Sequence, residues 1–396
     1  MTSVRDDAYA LAEEITELRH AIHREPEIGL QLPKTQQKVL AALEGLPLEV
    51  ACGTSLTSVT AVLRGARPGP TVLLRGDMDA LPVTERTGLG YSSQLSGAMH
   101  ACGHDTHTAM LAGAARLLAA RRADLAGNVI FMFQPGEEGC GGARYMIQEG
   151  VLDAAGERPV AAYALHVISA ELDAGVCSSR VGPILAASDS LDVTVHGRGG
   201  HGSQPFRSAD PVPALCEIVT ALQTLVTRRF DIFDPVVITV GSIHAGTARN
   251  VIPDTASFSA TVRTFSAAAR AAVSEASVAL ARQIAAAHGL TADADYAFGY
   301  PVTVNHEPEV ARAEQVIAGT LGEGRFTAAP NPDPGAEDFS YVLEQVPGAF
   351  IFIGACPPGR DPATAPTNHS AEAVFDDSVL AEGTALYAAL ALSRLG

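Results

Sequence analysis

Apolar and polar positions along this chain follow two textures. In the first, short unbroken apolar runs stop abruptly at polar or glycine-rich residues. Thr71–Arg75 runs into Gly76-Asp77-Met78-Asp79, Asn128–Phe133 into Gln134-Pro135-Gly136-Glu137-Glu138, and Val160–Leu165 into His166. Runs of this length suit strands covered on both faces, as in a parallel sheet. A further run, Ala349–Gly354, brings the same texture back late in the chain. Helical patterns lie between the runs. Residues 6–24 read as an amphipathic helix stopped by Pro26 and Gly29. Residues 105–121 form the clearest helix, with Asp105 or Thr106 as its N-cap.

The second texture occupies 187–298. Leu191, Val193 and Val195 alternate with Asp192, Thr194 and His196, and Phe258, Ala260 and Val262 alternate with polar neighbours. That is the period of a half-exposed antiparallel sheet. Val212, Leu215, Val219, Leu222 and Val226 recur at helical spacing behind Asp210-Pro211. The expected order is strand 189–196, helix 211–229, strand 236–243, strand 256–265, helix 267–288, strand 292–298. This β-α-β-β-α-β order is ferredoxin-like. We therefore expect an α/β domain with a mostly parallel central sheet flanked by helices, in 1–186 and 299–396. An α+β domain over 187–298 is inserted into it.

Composition narrows the classes. The 396 residues carry 27 Lys+Arg against 44 Asp+Glu, a formal net charge of −17; 47% are hydrophobic and 18% charged. Such a chain buries a large core, and extended disorder is excluded. The acidic balance argues against nucleic acid or an anionic membrane as the main partner. The N-terminus has no apolar core of signal-peptide length, and no apolar run reaches the ~18 residues of a membrane span. Cys52, Cys102, Cys140, Cys177, Cys216 and Cys356 lack the spacing of a disulfide framework, so a cytoplasmic location is expected.

Candidate chemistry gathers where apolar runs end: Asp77 and Asp79, His100 to His107, Glu137-Glu138, and His166, with Asn368-His369-Ser370 further on. In open α/β sheets ligand sites collect at the carboxyl ends of strands, so these distant residues can converge. Cys102 and His104 read equally as donors to one zinc-like ion and as a buried thiol beside helix-starting residues. Glu137-Glu138 alone reads more readily as an acidic turn. At a strand end, though, one carboxylate can bind metal while its neighbour moves protons. His166 and His369 are single residues with ordinary structural readings, as are His20, His23, His288 and His306. Asp79 can orient a ligand imidazole; Asp77 has no firm role. Gly197-Arg198-Gly199-Gly200-His201-Gly202 satisfies G-x-G-x-x-G, but no helix opens directly after it, so a dinucleotide site is rejected.

Together these segments resemble the N-acyl-amino-acid amidohydrolase and hippurate hydrolase group of the aminoacylase/carboxypeptidase two-metal peptidases. The resemblance rests on R-G-D-M-D-A-L-P (75–82), H-A-C-G-H-D-T-H (100–107), Q-P-G-E-E-G (134–139), A-L-H (164–166), G-R-G-G-H-G-S-Q-P (197–205), A-R-N-V-I-P-D (248–254) and G-A-E-D-F (335–339). It implies a catalytic domain with two divalent ions and makes the insert a lid or dimerisation domain. It matches Cys102, His104, Glu138, His166 and His369 to metal ligands and Glu137 to the general base. His201 matches a residue that reaches the partner subunit's site and steadies the oxyanion, and Asp79 joins the catalytic set. Asn250, Gly335 and Ala336 match substrate-lining positions. The segment departs at Pro334, where a Met is usual.

The implied reaction is metal-dependent hydrolysis of the amide bond of an N-acyl amino acid, by a homodimer acting on a small molecule. Zn²⁺ suits the thiolate, and Mn²⁺, Co²⁺ and Ni²⁺ stay open because availability often decides. The alternatives are a small-peptide carboxypeptidase or dipeptidase on the same site, a thiol hydrolase using Cys102 with His104 or His107, and a non-catalytic acyl-amino-acid-binding dimer.

Overall fold

The computed structural model describes residues 3–396; Met1 and Thr2, which open the expected 1–186 segment, lie outside the described residues. Two compact units form. The larger holds the chain up to Ile184 with Val304–Asn331 and Asp338–Gly396, and the smaller holds Leu185–Thr303 with Pro332–Glu337. The sequence pattern kept all of 299–396 together. Pro332–Glu337 instead join the smaller unit, where the Ala186 N–H donates to the carbonyls of Asp333 and Gly335 at 3.1 and 2.8 Å.

The larger unit opens with α1 (Val4–Ala10) and α2 (Ala12–Arg24), where the pattern predicted one helix. The break is a single tight turn. The Leu11 N–H bonds back three residues to the Ala8 carbonyl at 3.1 Å, a 3₁₀-type step. There follow α3 (Pro33–Leu43), β1 (Leu48–Cys52), β2 (Val59–Arg64), β3 (Arg67–Asp77), α4 (His104–Ala120), β4 (Ala126–Gln134), α5 (Gly142–Gln148), β5 (Ala161–Ile168) and β6 (Cys177–Ser179).

The smaller unit runs β7 (Ala187–His196), α6 (Pro211–Arg229), β8 (Val236–Ala245), β9 (Thr255–Thr264), α7 (Ala267–Ala287) and β10 (Thr291–Tyr300). Its four long strands pair antiparallel in the order β8-β9-β7-β10. Leu191, Val193, Phe258 and Val262 share one core with Leu215 and Leu222 of α6 and Val273 of α7. Inside it, buried Asp189 accepts from the Tyr296 hydroxyl and the Gly299 N–H, both at 2.9 Å, and pairs with Arg270. A short ribbon pairs Gly200–His201 with Val251–Ile252. The glycine-rich run therefore enters a ribbon, not a helix.

The larger unit resumes with α8 (Glu307–Leu321), β11 (Phe326–Ala328), β12 (Gly348–Gly354) and α9 (Val379–Leu395). Its eight-stranded sheet has the order β1-β2-β4-β3-β5-β12-β6-β11. The centre, β4-β3-β5-β12, is parallel. Antiparallel pairs appear at β1–β2, β2–β4 and β12–β6, so the sheet is mixed. The short β1–β2 connection forces that pair antiparallel, because a parallel return needs a crossover of a dozen residues or more. Leu111, Ala115 and Leu118 of α4 and Leu386 and Leu390 of α9 share a core with Leu74, Phe131 and Tyr163. Among the described residues, no helix is long and apolar enough to cross a membrane, and all six cysteines are free.

Candidate metal centre

Three of the four parallel neighbours deliver polar side chains where they end on one edge. β3 delivers Asp77 and Asp79, β4 delivers Glu137 and Glu138, and β5 carries His166. Cys102 and His104 sit at the N-terminus of α4. The His369 N–H donates to the Ala101 carbonyl at 2.8 Å, which ties that loop alongside. His369 adopts φ 71°, a left-handed conformation that costs a non-glycine residue about 1 kcal/mol or more.

The side chains meet. Cys102 Sγ lies 3.4 Å from His166 Nε2, and His369 Nε2 lies 3.2 Å from Glu138 Oε1. Three donor sets, each with its ligand atoms within 4.8 Å of one another, overlap: Cys102, His104 and His166; Cys102, Glu138 and His369; His104, Glu137 and Glu138. Cys102, His104 and Glu138 are thus each common to two of these sets. The glycine between Cys102 and His104 is required. Gly103 has φ 83°, and a Cβ there would stand 2.4 Å from a Val167 methyl.

The donors fit divalent ions on their own chemistry. Both ring nitrogens of His104 are buried and make no hydrogen bond, with Asp79 and Asp77 standing 3.4 and 3.6 Å away. Buried polar atoms without partners are costly unless something else satisfies them. Soft thiolate, imidazole and carboxylate together make a zinc-type or related set. The electrostatics agree. Burial opposes charge on His104, yet Asp77 and Cys102 hold it protonated well above the usual imidazole range. A hydrogen bond with Cys102, then one with Glu138, lifts His369 to about 10. Glu138 is held below the usual carboxylate range, against its burial, by His369 and His104. Burial, and then His107, push His166 well down, so it offers a neutral donor. The pocket therefore draws positive charge to itself.

Asp79 accepts the N–H groups of both Glu137 and Glu138, at 2.9 and 3.0 Å, and its Oδ1 lies 3.4 Å from His104 Nδ1. One carboxylate thus holds the glutamate turn and faces the imidazole. Asp77, left without a role by the sequence, faces the other side of that ring at 3.6 Å. It is bonded to His107 Nδ1 at 2.6 Å and Arg75 at 2.7 Å. The expectation that Asp105 or Thr106 caps α4 is corrected. The helix starts at His104 behind Gly103, and the Asp105 carboxylate turns to Arg19 Nε at 3.0 Å and His23 Nδ1 at 2.8 Å. A fully buried guanidinium needs a counter-charge more than a helix N–H needs a cap.

The remaining candidates belong to the smaller unit. His201 and Asn250 are exposed neighbours on the short ribbon, where the Gly202 N–H donates to the Asn250 carbonyl at 2.8 Å. His201 Nδ1 accepts the Ser203 N–H at 3.2 Å, which places the ring proton on Nε2. Gly335 and Ala336 are half-buried, with Gly335 fixed by Asp333 at 2.6 Å. Sequence reasoning gave Asp77 and Asn368 no role and weighed His107 only as a partner of the Cys102 thiol. The D-x-D spacing and the third histidine of H-A-C-G-H-D-T-H were the available signals.

Comparison with known proteins gives the family. Residues 73–393 match the model of peptidase family M20/M25/M40. Thermostable carboxypeptidase 1 of Saccharolobus solfataricus is 36% identical over 98% of this chain and 97% of its own. N-acetylcysteine deacetylase of Bacillus subtilis is 37% identical over 85% of this chain and 87% of its own. The crystal structure of a Bacillus subtilis dinuclear metal binding peptidase from the M20 family superposes with a TM-score of 0.83 at 32% identity, covering 97% of this chain and 98% of that one. The chain belongs to peptidase family M20/M25/M40 and is an amide-bond hydrolase.

Proposed function

We propose that this protein hydrolyses the amide bond of N-acyl amino acids at a centre for two divalent ions. Cys102, His104, Glu138, His166 and His369 hold the ions, with Zn²⁺ the best match to the thiolate. The carrying observation is the overlap of donor sets that brings Cys102, His104, Glu138, His166 and His369 together, with the buried Glu137 carboxylate among them. Divalent ions bound there supply Lewis acidity, making water a better acid and a carbonyl a better electrophile. The rest is the work of the chain. Glu137 takes the proton of the attacking water and returns it to the leaving amine. Asp79 holds the Glu137-Glu138 turn. His201, whose Nε2–H is a donor, reaches the partner subunit's site and hydrogen-bonds the oxyanion. Asn250, Gly335 and Ala336 line the substrate. The smaller unit acts as a ferredoxin-like lid and dimerisation domain. Its strand-helix-strand-strand-helix-strand order supports that reading. Six free thiols support a cytoplasmic setting.

The test is substitution with metal analysis. Glu137→Ala lowers turnover by ~10²-fold or more with metal content retained; Glu138→Ala and His104→Ala lose bound metal. Near-normal turnover in the first, or full occupancy in the other two, removes the assignment. A second reading, carboxypeptidase action on small peptides, is favoured by the likeness to thermostable carboxypeptidase 1. Amine release from N-acetyl, N-benzoyl and longer acyl amino acids, set against dipeptides, separates the two.

A further inference from the structure

We propose that His107 and Asn368 are positioning residues that aim the His166 imidazole by gripping the Val167 main chain from two sides. The inference rests on reading Cys102 and His166 as metal ligands, and extends it to residues that touch no ion.

The argument starts from the backbone. β3 pairs with β5 only as far as Arg75 opposite Ala164, but β5 continues to Ile168. Its N–H groups on that edge lose their strand partner, and buried N–H groups need one. The Tyr387 hydroxyl accepts the Leu165 N–H at 3.1 Å. His107 Nε2 accepts the Val167 N–H at 2.8 Å. A backbone N–H only donates, so the His107 proton sits on Nδ1, which donates to Asp77 Oδ1 at 2.6 Å. Both nitrogens of this fully buried ring are therefore committed. His107 has no lone pair left to activate the Cys102 thiol, which closes that form of the thiol-hydrolase alternative.

The Val167 carbonyl accepts from two donors, His166 Nδ1 at 2.9 Å and Asn368 Nδ2 at 3.0 Å. A carbonyl only accepts, so His166 carries its proton on Nδ1 and turns the bare Nε2 toward Cys102 Sγ. Asn368 also bonds the Cys102 carbonyl at 3.3 Å and takes the Ser169 N–H at 2.9 Å. One carboxamide thus spans the chain segments carrying Cys102, His166 and His369. Loss of either grip removes a bond that fixes the Val167 peptide on the edge away from β12, so the imidazole bonded to its carbonyl is held less firmly.

The test uses the full-length chain as His107→Leu, His107→Gln and Asn368→Ala, with Zn²⁺ affinity from chelator competition and the absorption spectrum of the Co²⁺ form. His107→Leu and Asn368→Ala weaken binding of one ion by roughly 10–100-fold and shift the cobalt bands. His107→Gln, whose amide can both accept and donate, restores most of the affinity. Parent-like affinity and cobalt bands in both His107→Leu and Asn368→Ala overturn the proposal; if His107→Leu does not fold, Asn368→Ala decides. A parent chain that binds no ions, or a Cys102→Ala variant that keeps both, overturns the metal reading as well. Unchanged variants of a two-ion parent overturn only the positioning role.

Discussion

The acidic pocket of the larger unit and the His201–Asn250 ribbon of the smaller one solve opposite problems. In the pocket, His104, Asp77, Asp79 and Glu137 are all buried, and each carboxylate or imidazole is faced by others. On the ribbon, His201 and Asn250 are exposed and rest on a two-residue pairing. A polar group taken out of water needs partners, and those need partners in turn. A group left in water needs only a turn of the right shape. Buried chemistry therefore comes with a retinue: Arg75, His107, Asn368 and the Arg19–Asp105–His23 cluster. Exposed chemistry comes nearly alone.

Four measurements break or sharpen this contrast. The largest effect is expected at Arg19, whose guanidinium is fully buried against Asp105, Asp377 and the Phe375 carbonyl. Arg19→Met leaves the buried Asp105 carboxylate with His23 as its remaining cation and lowers stability by about 3–5 kcal/mol in urea unfolding. A loss near zero would mean that the retinue does not matter energetically. Next comes pH. Burial disfavours charge on His23, but Asp105 overrides it and raises the group to about 9. A folded pKa above the unfolded ~6.5 means the stabilisation is complete below that pH and disappears as pH rises through about 9. In the chelated protein His23 should account for a loss on the order of 3 kcal/mol over that window, read as the difference between the parent and His23→Gln curves, because His104 and His369 are raised as well. Third, His201→Ala should cut turnover by ~10²-fold while leaving the unfolding midpoint in place. A shifted midpoint with intact turnover would reverse the comparison. The smallest effect belongs to the exposed Arg64–Glu49 pair at 2.9 Å. Glu49→Gln should change stability by less than ~1 kcal/mol.

Periodicity carried much of the fold because it is a local property. The helical spacing of Val212 to Val226 and the observed helix Pro211–Arg229 coincide, and the alternation at Leu191–Val195 lies within Ala187–His196. What periodicity could not carry is which strand lies beside which. Nothing near Ala349–Gly354 says that it pairs with β5 on one side and antiparallel with β6 on the other. Chemistry divides the same way. Cys102, His104, Glu137 and Glu138 carry a local hint in their spacing, which the ordered set of motifs turns into an expectation. Asn368 does not, because its worth lies in carbonyls of Cys102 and Val167 hundreds of residues away. Asp105 misled for a related reason. As a helix-starting residue it looked like a cap, and only the distant Arg19 shows why it turns elsewhere.

The position of β12 has a consequence for synthesis. It lies between β5 and β6, which leave the ribosome long before it does. While the intervening chain is being made, the apolar edge of Ala161–Ile168 has no neighbour on that side, and such an edge invites aggregation. The strands and helices of the smaller unit are contiguous from Ala187 to Tyr300, so that unit can close early. The nascent larger unit is the one whose strand edge stays open longer to wrong pairing.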